Sequence, residues 1–258
     1  MGDRNMHKKT IKEIADILEK ISEEDERFKE LQKDERKGVQ NLLNKWQKAR
    51  QKEQAEILRY EQLSVHEKEH WLAGKKRIAG IDEVGRGPLA GPVVSAAVIL
   101  KEGTIIQGLN DSKQMNQAKR EHLYNQIVEK AEAIAIGIVD AQEIDQINIY
   151  EATKKSMLMA VNKLAIQPDI LFIDAMKLNS PYEELSLIKG DAQSISIAAA
   201  SIIAKVTRDR MMNEYDAQFP QYGFAQNMGY GTKIHLDAIN EVGPCQIHRK
   251  SFAPINKK

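Results

Sequence analysis

The sequence Ala79-Gly80-Ile81-Asp82-Glu83-Val84-Gly85-Arg86-Gly87-Pro88 places two adjacent acids in an apolar stretch, directly before a glycine-rich turn. The apolar residues predict a buried β-strand over residues 77–84. Buried carboxylates are costly unless ions or hydrogen bonds satisfy them, so Asp82 and Glu83 are candidates for a functional site. Neighbours on a regular strand point to opposite faces of the sheet. We therefore expect either a distortion at Glu83 or participation through its backbone carbonyl.

The pattern on either side of this stretch predicts an α/β domain with a mixed central sheet flanked by helices. Apolar runs predict further strands at residues 93–100, 133–139 and 169–174. Helical spacing predicts helices at residues 119–132, 148–164 and 194–218. Strands that come early and are then separated by helices are typical of this fold class.

Charge density changes near residue 74. The first 74 residues hold 16 basic and 16 acidic residues, whereas the remaining 184 hold 22 and 21. We take this change as the boundary between a domain of residues 1–74 and one of residues 75–258. Apolar residues at helical spacing predict that the first is a small all-α domain. The basic residues of this domain include Arg36, Lys37, Lys45, Lys48 and Arg50. They form either a nucleic-acid-facing patch or a solvated helix surface. The equally numerous acids favour the solvated surface.

The overall composition excludes several classes of protein. A net charge of +1 and 42% hydrophobic residues exclude a disordered polyelectrolyte and a wholly basic nucleic-acid coat. The single cysteine, Cys245, cannot form an internal disulfide or a cysteine zinc site, which fits a reducing compartment. No apolar run approaches the roughly 18 residues of a membrane span. We therefore expect a soluble cytoplasmic protein without a membrane partner.

Two further acids follow apolar segments at the ends of predicted elements. Asp174 ends the strand at residues 169–174, and Asp191 comes shortly before the helix at residues 194–218. Together with Asp82 and Glu83 they would supply oxygen ligands, which suit Mg²⁺ or Mn²⁺, and no His/Cys spacing competes for a softer metal. Two such ions about 3.5 to 4 Å apart can activate water and stabilise the leaving oxygen in phosphodiester hydrolysis. A metal-dependent nuclease is therefore the leading hypothesis.

Each of these features has a plainer interpretation. Asp191 can cap the following helix, and Asp174 can be a turn residue after a strand. Asp209 lies within the predicted helix at residues 194–218, and we favour a surface or supporting role for it. The glycines at Gly85-x-Gly87-x-x-x-Gly91 approach a dinucleotide-binding fingerprint but miss its last spacing, and the two acids would repel pyrophosphate. A turn that brings backbone amides and Arg86 against a sugar-phosphate backbone fits better.

Six motifs in chain order are similar to those of bacterial ribonuclease HII, over residues 75–255. They are Gly80-Ile81-Asp82-Glu83-Val84-Gly85-Arg86-Gly87-Pro88-Leu89-Ala90-Gly91-Pro92-Val93, Asp111-Ser112-Lys113, Phe172-Ile173-Asp174, Gly190-Asp191, Ala198-Ala199-Ala200-Ser201-Ile202-Ile203-Ala204-Lys205-Val206 and Gly229-Tyr230-Gly231-Thr232. The resemblance implies an RNase H-like fold. It also implies hydrolysis of the phosphodiester on the 5′ side of a ribonucleotide, in RNA/DNA hybrids or embedded in duplex DNA, leaving 3′-hydroxyl and 5′-phosphate ends.

The resemblance also implies roles for individual residues. The four family carboxylates fall on Asp82, Glu83, Asp174 and Asp191, as catalytic residues and ligands of Mg²⁺ or Mn²⁺, with two ions in the catalytic complex. In the family, the Gly-Arg-Gly turn contacts the ribose 2′-hydroxyl and the adjoining phosphate, and here this turn is Gly85, Arg86 and Gly87. The motif tyrosine, here Tyr230, reads the junction between ribonucleotide and deoxyribonucleotide. Lys113 resembles a lysine that contacts a phosphate. Without the resemblance, Tyr230 would equally be a turn aromatic packed on the sheet, and Lys113 a surface lysine.

Two alternatives remain open on the sequence. Ribonuclease HIII lacks the Gly-Arg-Gly signature and usually carries a different, sheet-containing N-terminal domain. A non-enzymatic module that binds RNA/DNA hybrids is the alternative from another class. The helical N-terminal segment is found in only some ribonucleases HII, so the resemblance does not define its role. We expect a monomer, and the sequence does not identify protein partners.

Overall fold

The computed structural model describes residues 9–109 and 115–257. Contacts divide the chain into two compact units, Met1–Arg59 and Tyr60–Lys258. This division comes earlier in the chain than the change in charge density near residue 74. The reason is that Leu63 and Trp71 belong to the hydrophobic core of the second unit, and Tyr60 packs against it, although all three lie in the charge-rich part of the sequence.

The first unit is helical, as the apolar spacing predicts. Its helices are α1 (Ile11–Leu18), α2 (Glu26–Gln32) and the part of α3 (Lys37–Leu63) that extends to Arg59. Thr10 and Glu13 form a reciprocal capping box at the start of α1. The helices bury a common apolar core that consists of Ile14, Leu18, Ile21, Phe28, Leu31, Val39 and Leu43.

The second unit alternates strands and helices after an initial helix. Its helices are α4 (Val65–Leu72), α5 (Gln117–Lys130), α6 (Ala141–Asn162), α7 (Ile195–Gln218), α8 (Phe224–Asn227) and α9 (Lys233–Val242). Its strands are β1 (Ile78–Val84), β2 (Val93–Leu100), β3 (Ala131–Val139), β4 (Ile170–Asp174) and β5 (Glu183–Leu187). Short 3₁₀ turns occupy Gly190–Ala192, Pro220–Tyr222 and Ile255–Lys257. Among the described residues, no helix has both the length and the apolar character needed to cross a membrane.

The five strands form one mixed sheet in the order β3-β2-β1-β4-β5, which confirms the predicted fold class. β1 pairs antiparallel with β2, and β2 pairs antiparallel with β3. On its other side β1 pairs parallel with β4, which in turn pairs parallel with β5. Because the carboxyl ends of parallel neighbours meet at the same edge of a sheet, β1 and β4 bring their last residues together.

Helices cover both faces of the sheet. α7 packs against one face, where Ile78, Val98 and Phe172 join its core. α6 packs against the other face, next to Ala79 and Ile81. A Cβ atom at Gly80 would lie 2.0 Å from the carbonyl carbon of Ser196, which shows that α7 crosses close to β1 at this glycine.

The structure differs from the sequence prediction at three elements. α5 ends at Lys130, before the predicted residue 132, because Ala131 already pairs with Leu100 in the sheet. β5 was not predicted, because its polar residues at the sheet edge lack an apolar strand pattern. α6 begins before the predicted residue 148, and Asn148 interrupts it with a φ of 69°.

Candidate active site

Three acidic residues meet at the edge of the sheet where β1 and β4 end. One carboxylate oxygen each of Asp82, Glu83 and Asp174 lies within 4.8 Å of the others. The parallel register pairs Ile81 with Ile173, so Asp82 and Asp174 follow side by side on neighbouring strands. We call these three residues the acidic group.

Asp82 is the most buried member of the acidic group, with 5% of its surface exposed. Its Oδ1 accepts a hydrogen bond from the Glu83 amide at 2.7 Å, and it also interacts with the Ser201 hydroxyl. Burial raises the pKa of Asp82 well above its usual value, and the negative charges of Glu83 and Asp174 raise it further. A cation placed among the three carboxylates would relieve this repulsion.

Glu83 reaches the acidic group without disturbing the strand pairing. The register of β1 and β2 is regular through Val84, and Glu83 lies opposite Ser95, so the expected distortion at this residue is not observed in the ladder. Oε1 accepts a hydrogen bond from Arg86 Nη1 at 3.3 Å, while Oε2 is buried and has no hydrogen-bond partner among the described residues. Burial raises the pKa of Glu83; the charge of Arg86 opposes this increase and that of Asp174 adds to it.

Asp191 is not a member of the acidic group, which consists of Asp82, Glu83 and Asp174 within the 4.8 Å limit. Gly190 donates its amide to Asp174 Oδ1 at 2.7 Å, and the buried Asp191 follows in the turn Gly190–Ala192. The interpretation of Asp191 as a helix cap is wrong, because the side chain of Ser194 caps α7. Its role as a ligand stays a prediction.

The glycine-rich turn lies next to the acidic group. Gly85 has a φ of 94°, which favours glycine, and both Arg86 and Gly87 are exposed. Tyr230 is 49% exposed, and its Cε1 would lie 3.5 Å from a Cβ atom at Gly87. The tyrosine ring therefore lies beside the turn, with a surface open to solvent. Lys113, the fifth predicted substrate-binding residue, lies outside the described residues.

Asp209 does not join the acidic group. Its carboxylate accepts a hydrogen bond from Lys205 at 2.7 Å and lies 3.9 Å from Arg120. These contacts agree with the supporting role that the sequence favours. Two residues behind the turn were not predicted, the buried Arg208 and Arg249. Arg208 follows the buried Ala204 at helical spacing in α7, which is a weak signal, whereas the sequence around Arg249 contains none.

Comparison with solved structures places the fold in the RNase H class. The structure resembles the ribonuclease H2 from Pyrococcus horikoshii OT3 with a TM-score of 0.62 and 27% identity, covering 70% of this chain and 96% of that one. It also shares its fold with Bst-RNase HIII, solved in complex with Mn²⁺, at a TM-score of 0.57 and 22% identity over 71% of this chain and 69% of that one. Together, the fold and the acidic group define a nuclease of the RNase H class.

Sequence comparison identifies the family. The ribonuclease HII family matches residues 79–255, and the ribonuclease HII N-terminal domain matches residues 10–71. The ribonucleases HII of Bacillus cytotoxicus and Bacillus anthracis are each 58% identical over 251 residues, which cover 97% of this chain and 97% and 98% of theirs. The chain belongs to the ribonuclease HII family and is an endoribonuclease of RNase H type 2. The predicted family is confirmed, and the two alternatives, ribonuclease HIII and a non-enzymatic binding module, are set aside.

Proposed function

We propose that this endoribonuclease hydrolyses the phosphodiester on the 5′ side of a ribonucleotide, in RNA/DNA hybrids and at ribonucleotides embedded in duplex DNA. The products would carry 3′-hydroxyl and 5′-phosphate ends. The observation that carries this proposal is the contact between the acidic group and the turn, in which Arg86 Nη1 lies 3.3 Å from Glu83 Oε1. The acidic group, which suits phosphodiester chemistry, thus lies next to exposed residues of the turn that suit recognition of a sugar and a phosphate.

The acidic group fits a divalent cation. Its three carboxylates converge within 4.8 Å, and the buried Oε2 of Glu83 has no hydrogen-bond partner among the described residues. Asp82, Glu83 and Asp174 would hold Mg²⁺ or Mn²⁺, and Asp191 would complete the ligand set for two ions. When bound, such ions stabilise charge on the phosphate and lower the pKa of water. The contribution of the chain is a fixed set of carboxylates whose mutual repulsion a cation relieves.

Recognition of the ribonucleotide would depend on the exposed turn and its neighbouring tyrosine. The 2′-hydroxyl is the group that distinguishes RNA from DNA, and an aromatic ring can stack on a sugar. Gly85, Arg86 and Gly87 would contact the 2′-hydroxyl and the adjoining phosphate, with Tyr230 against the sugar at the junction. Lys113 would contact a further phosphate. These contacts would orient the phosphodiester towards the acidic group, which is the positioning that catalysis requires.

The direct test is cleavage of an end-labelled DNA duplex that contains one ribonucleotide, with Mg²⁺, with Mn²⁺ and with a chelator. We expect one cut on the 5′ side of the ribonucleotide, only with metal, and products that a DNA polymerase extends from the 3′-hydroxyl. An all-deoxyribonucleotide duplex controls for nonspecific nuclease activity, and cleavage of it at the same rate would contradict the proposal. Asp209→Asn is the control for substitutions in the acidic group, because Asp209 is paired elsewhere.

We further propose that the enzyme acts as a monomer in the cytoplasm. The single cysteine supports a protein of a reducing compartment. Sedimentation of the purified protein and of its complex with the duplex measures the number of copies that bind one substrate. Fractionation of cells measures the compartment.

A further inference from the structure

Two arginines are buried directly behind the glycine-rich turn. Arg208 and Arg249 are 1% and 0% exposed. Arg249 donates hydrogen bonds to the carbonyl oxygens of Gly85, Arg86 and Gly91, at distances between 2.5 and 3.0 Å. Among the described residues, neither arginine forms an ion pair with a carboxylate. Arg249 therefore uses its guanidinium to hold the backbone of the turn.

These hydrogen bonds determine which way the peptide groups of the turn face. In a trans peptide, the carbonyl and the following amide point in opposite directions. Because Arg249 binds the carbonyls of Gly85 and Arg86, the amides of Arg86 and Gly87 face away from it. Both residues are exposed, and their amides have no hydrogen-bond partner among the described residues. The turn thus presents two adjacent free donors to solvent.

The charge of Arg249 supports the same orientation. Burial and the nearby Arg208 lower the pKa of Arg249 to about 9, which leaves it protonated at neutral pH. A buried cation is costly unless it is paired and hydrogen-bonded. Here the carbonyls supply the hydrogen bonds, and an anion bound at the amides in front of the guanidinium would add favourable charge.

We infer that Arg249 is a positioning residue that holds the Arg86 and Gly87 amides outward, as a preformed pair of donors for a phosphate oxygen beside the ribonucleotide. The inference rests on the proposed function, since it deepens the recognition assigned to the turn. Arg249 does not touch the substrate in this arrangement. Its effect is to remove the cost of ordering the turn when the substrate binds.

Arg208 provides a matched control for Arg249. It is equally buried, and it donates three hydrogen bonds to backbone carbonyls, those of Ala90, Pro92 and Met228. None of these carbonyls belongs to the peptide groups that orient the Arg86 and Gly87 amides. Lysine retains the charge at either position but lacks the planar fork of arginine. Arg249→Lys and Arg208→Lys therefore cause comparable local losses with different consequences for the turn.

The experiment measures the dissociation constant of a duplex with one ribonucleotide, without divalent metal, for the unmodified protein and both variants. We expect Arg249→Lys to raise it about tenfold, equivalent to about 1.4 kcal/mol, and Arg208→Lys to raise it clearly less, because Arg208 does not bind the carbonyls of Gly85 and Arg86. With metal present, Arg249→Lys should raise KM more than it lowers kcat. Thermal unfolding of both variants confirms that they fold. Equal dissociation constants for the unmodified protein and Arg249→Lys, or equal weakening in both variants, would overturn the inference.

If Arg249→Lys does not fold, a second measurement on the unmodified protein tests whether the Arg86 and Gly87 amides donate hydrogen bonds to the substrate. The amide proton resonances of Arg86 and Gly87 should move downfield when the duplex is added, because each forms a new hydrogen bond to an acceptor. Unchanged resonances in the bound state would overturn the inference. Failure of the proposed function is distinguishable, because the unmodified protein would then not cleave the ribonucleotide duplex at all.

Discussion

Arg86 Nη1 lies 3.3 Å from Glu83 Oε1, which connects the exposed turn to the acidic group. The side chain of Arg86 is 45% exposed and that of Glu83 is 11% exposed, so the guanidinium reaches from solvent to a largely buried carboxylate. The contact places a cation beside the acidic group. A phosphate bound near Arg86 would therefore lie close to the carboxylates.

Replacing Arg86 tests this arrangement. We expect Arg86→Ala to lower kcat/KM at a single embedded ribonucleotide by about tenfold or more, because the substitution would remove the charge-assisted hydrogen bond to the phosphate that we propose. Arg86→Lys should have a smaller effect, since it keeps the charge but not the planar fork. Arg77→Ala is the control, because Arg77 is similarly exposed and pairs with Asp169 instead. Equal kcat/KM values for Arg86→Ala and Arg77→Ala would contradict the prediction.

Removing a charge from the acidic group should separate activity from stability. Asp82→Asn and Asp174→Asn should abolish most turnover, because each would remove a charged group that we propose as a ligand of the metal. Without divalent metal, Asp82→Asn should unfold at the same or a higher temperature at neutral pH, because the raised pKa of Asp82 means that its charge destabilises the fold. Mg²⁺ or Mn²⁺ should raise the unfolding temperature of the unmodified protein and of Asp209→Asn, but not of Asp82→Asn. Near-normal cleavage by both acidic-group variants would contradict the metal site.

The acidic group and the central strands could be predicted because each acid interrupts or ends an apolar run. Asp82 and Asp174 stand out for this reason, and the parallel pairing of their strands then brings them together. The role of Arg249 could not be predicted, because in His248-Arg249-Lys250 it resembles any surface cation, and only the chain path shows that it faces carbonyls far away in sequence. Glu67 was missed for a similar reason, since a buried acid among many exposed acids has no local signal.

A chain of hydrogen bonds between two buried histidines fixes the protonation of both. His235 Nδ1 lies 2.9 Å from the Tyr230 carbonyl and must donate, whereas His248 Nδ1 lies 2.9 Å from the Cys245 amide and must accept. The two Nε2 atoms are 2.9 Å apart, so His248 donates and His235 accepts. Each histidine thus carries one proton and is neutral. A further proton on His235 would place two N–H groups against each other. A further proton on His248 would remove the acceptor of the Cys245 amide.

This chain predicts a loss of stability in acid. Burial lowers the pKa of His248 from 6.5 to about 4 and also lowers that of His235. The unfolded state therefore binds protons before the folded state does, and stability falls as the pH decreases from about 6.5 to about 4. The expected slope is about 1.4 kcal/mol per pH unit for each extra proton bound on unfolding. Denaturant unfolding across this range should give a smaller slope for His248→Gln, whereas the exposed His122→Gln should retain the full slope.

Residues 60–74 should be indispensable to the second unit. Glu67 Oε1 accepts hydrogen bonds from the Ser194 hydroxyl at 2.5 Å and from the Ser196 amide at 3.0 Å, at the start of α7. Trp71 and Leu63 are buried in the same unit. A chain that begins at Tyr60 should therefore keep single-turnover cleavage, whereas one that begins at Lys75 should unfold at a markedly lower temperature. The functional boundary for truncation is therefore expected at Arg59 and not at the change in charge density near residue 74. Equal unfolding temperatures for the two truncations would contradict it.

The first unit should contribute to substrate binding through some of its basic residues. Arg36 and Arg50 pair with Asp34 and Glu53, so these two are already engaged in the fold. Lys45 and Lys48 are exposed on α3. If they bind phosphates, Lys45→Gln with Lys48→Gln should weaken duplex binding and lower the slope of log K against log salt by about 0.9 for each phosphate that is no longer neutralised.

Deletion of residues 1–59 should produce the same change or a larger one. It should leave the single-turnover rate at saturating substrate unaltered, because the acidic group and the turn belong to the second unit. The acids Glu19 and Glu23 are also exposed on the first unit, and replacing both with glutamine is the control for a general change in charge. Binding constants measured over a salt series for these proteins distinguish a phosphate contact from a solvated helix surface. An unchanged affinity and salt slope after the deletion would assign the lysines to the solvated surface, because counterion release depends on the number of phosphates that the protein neutralises.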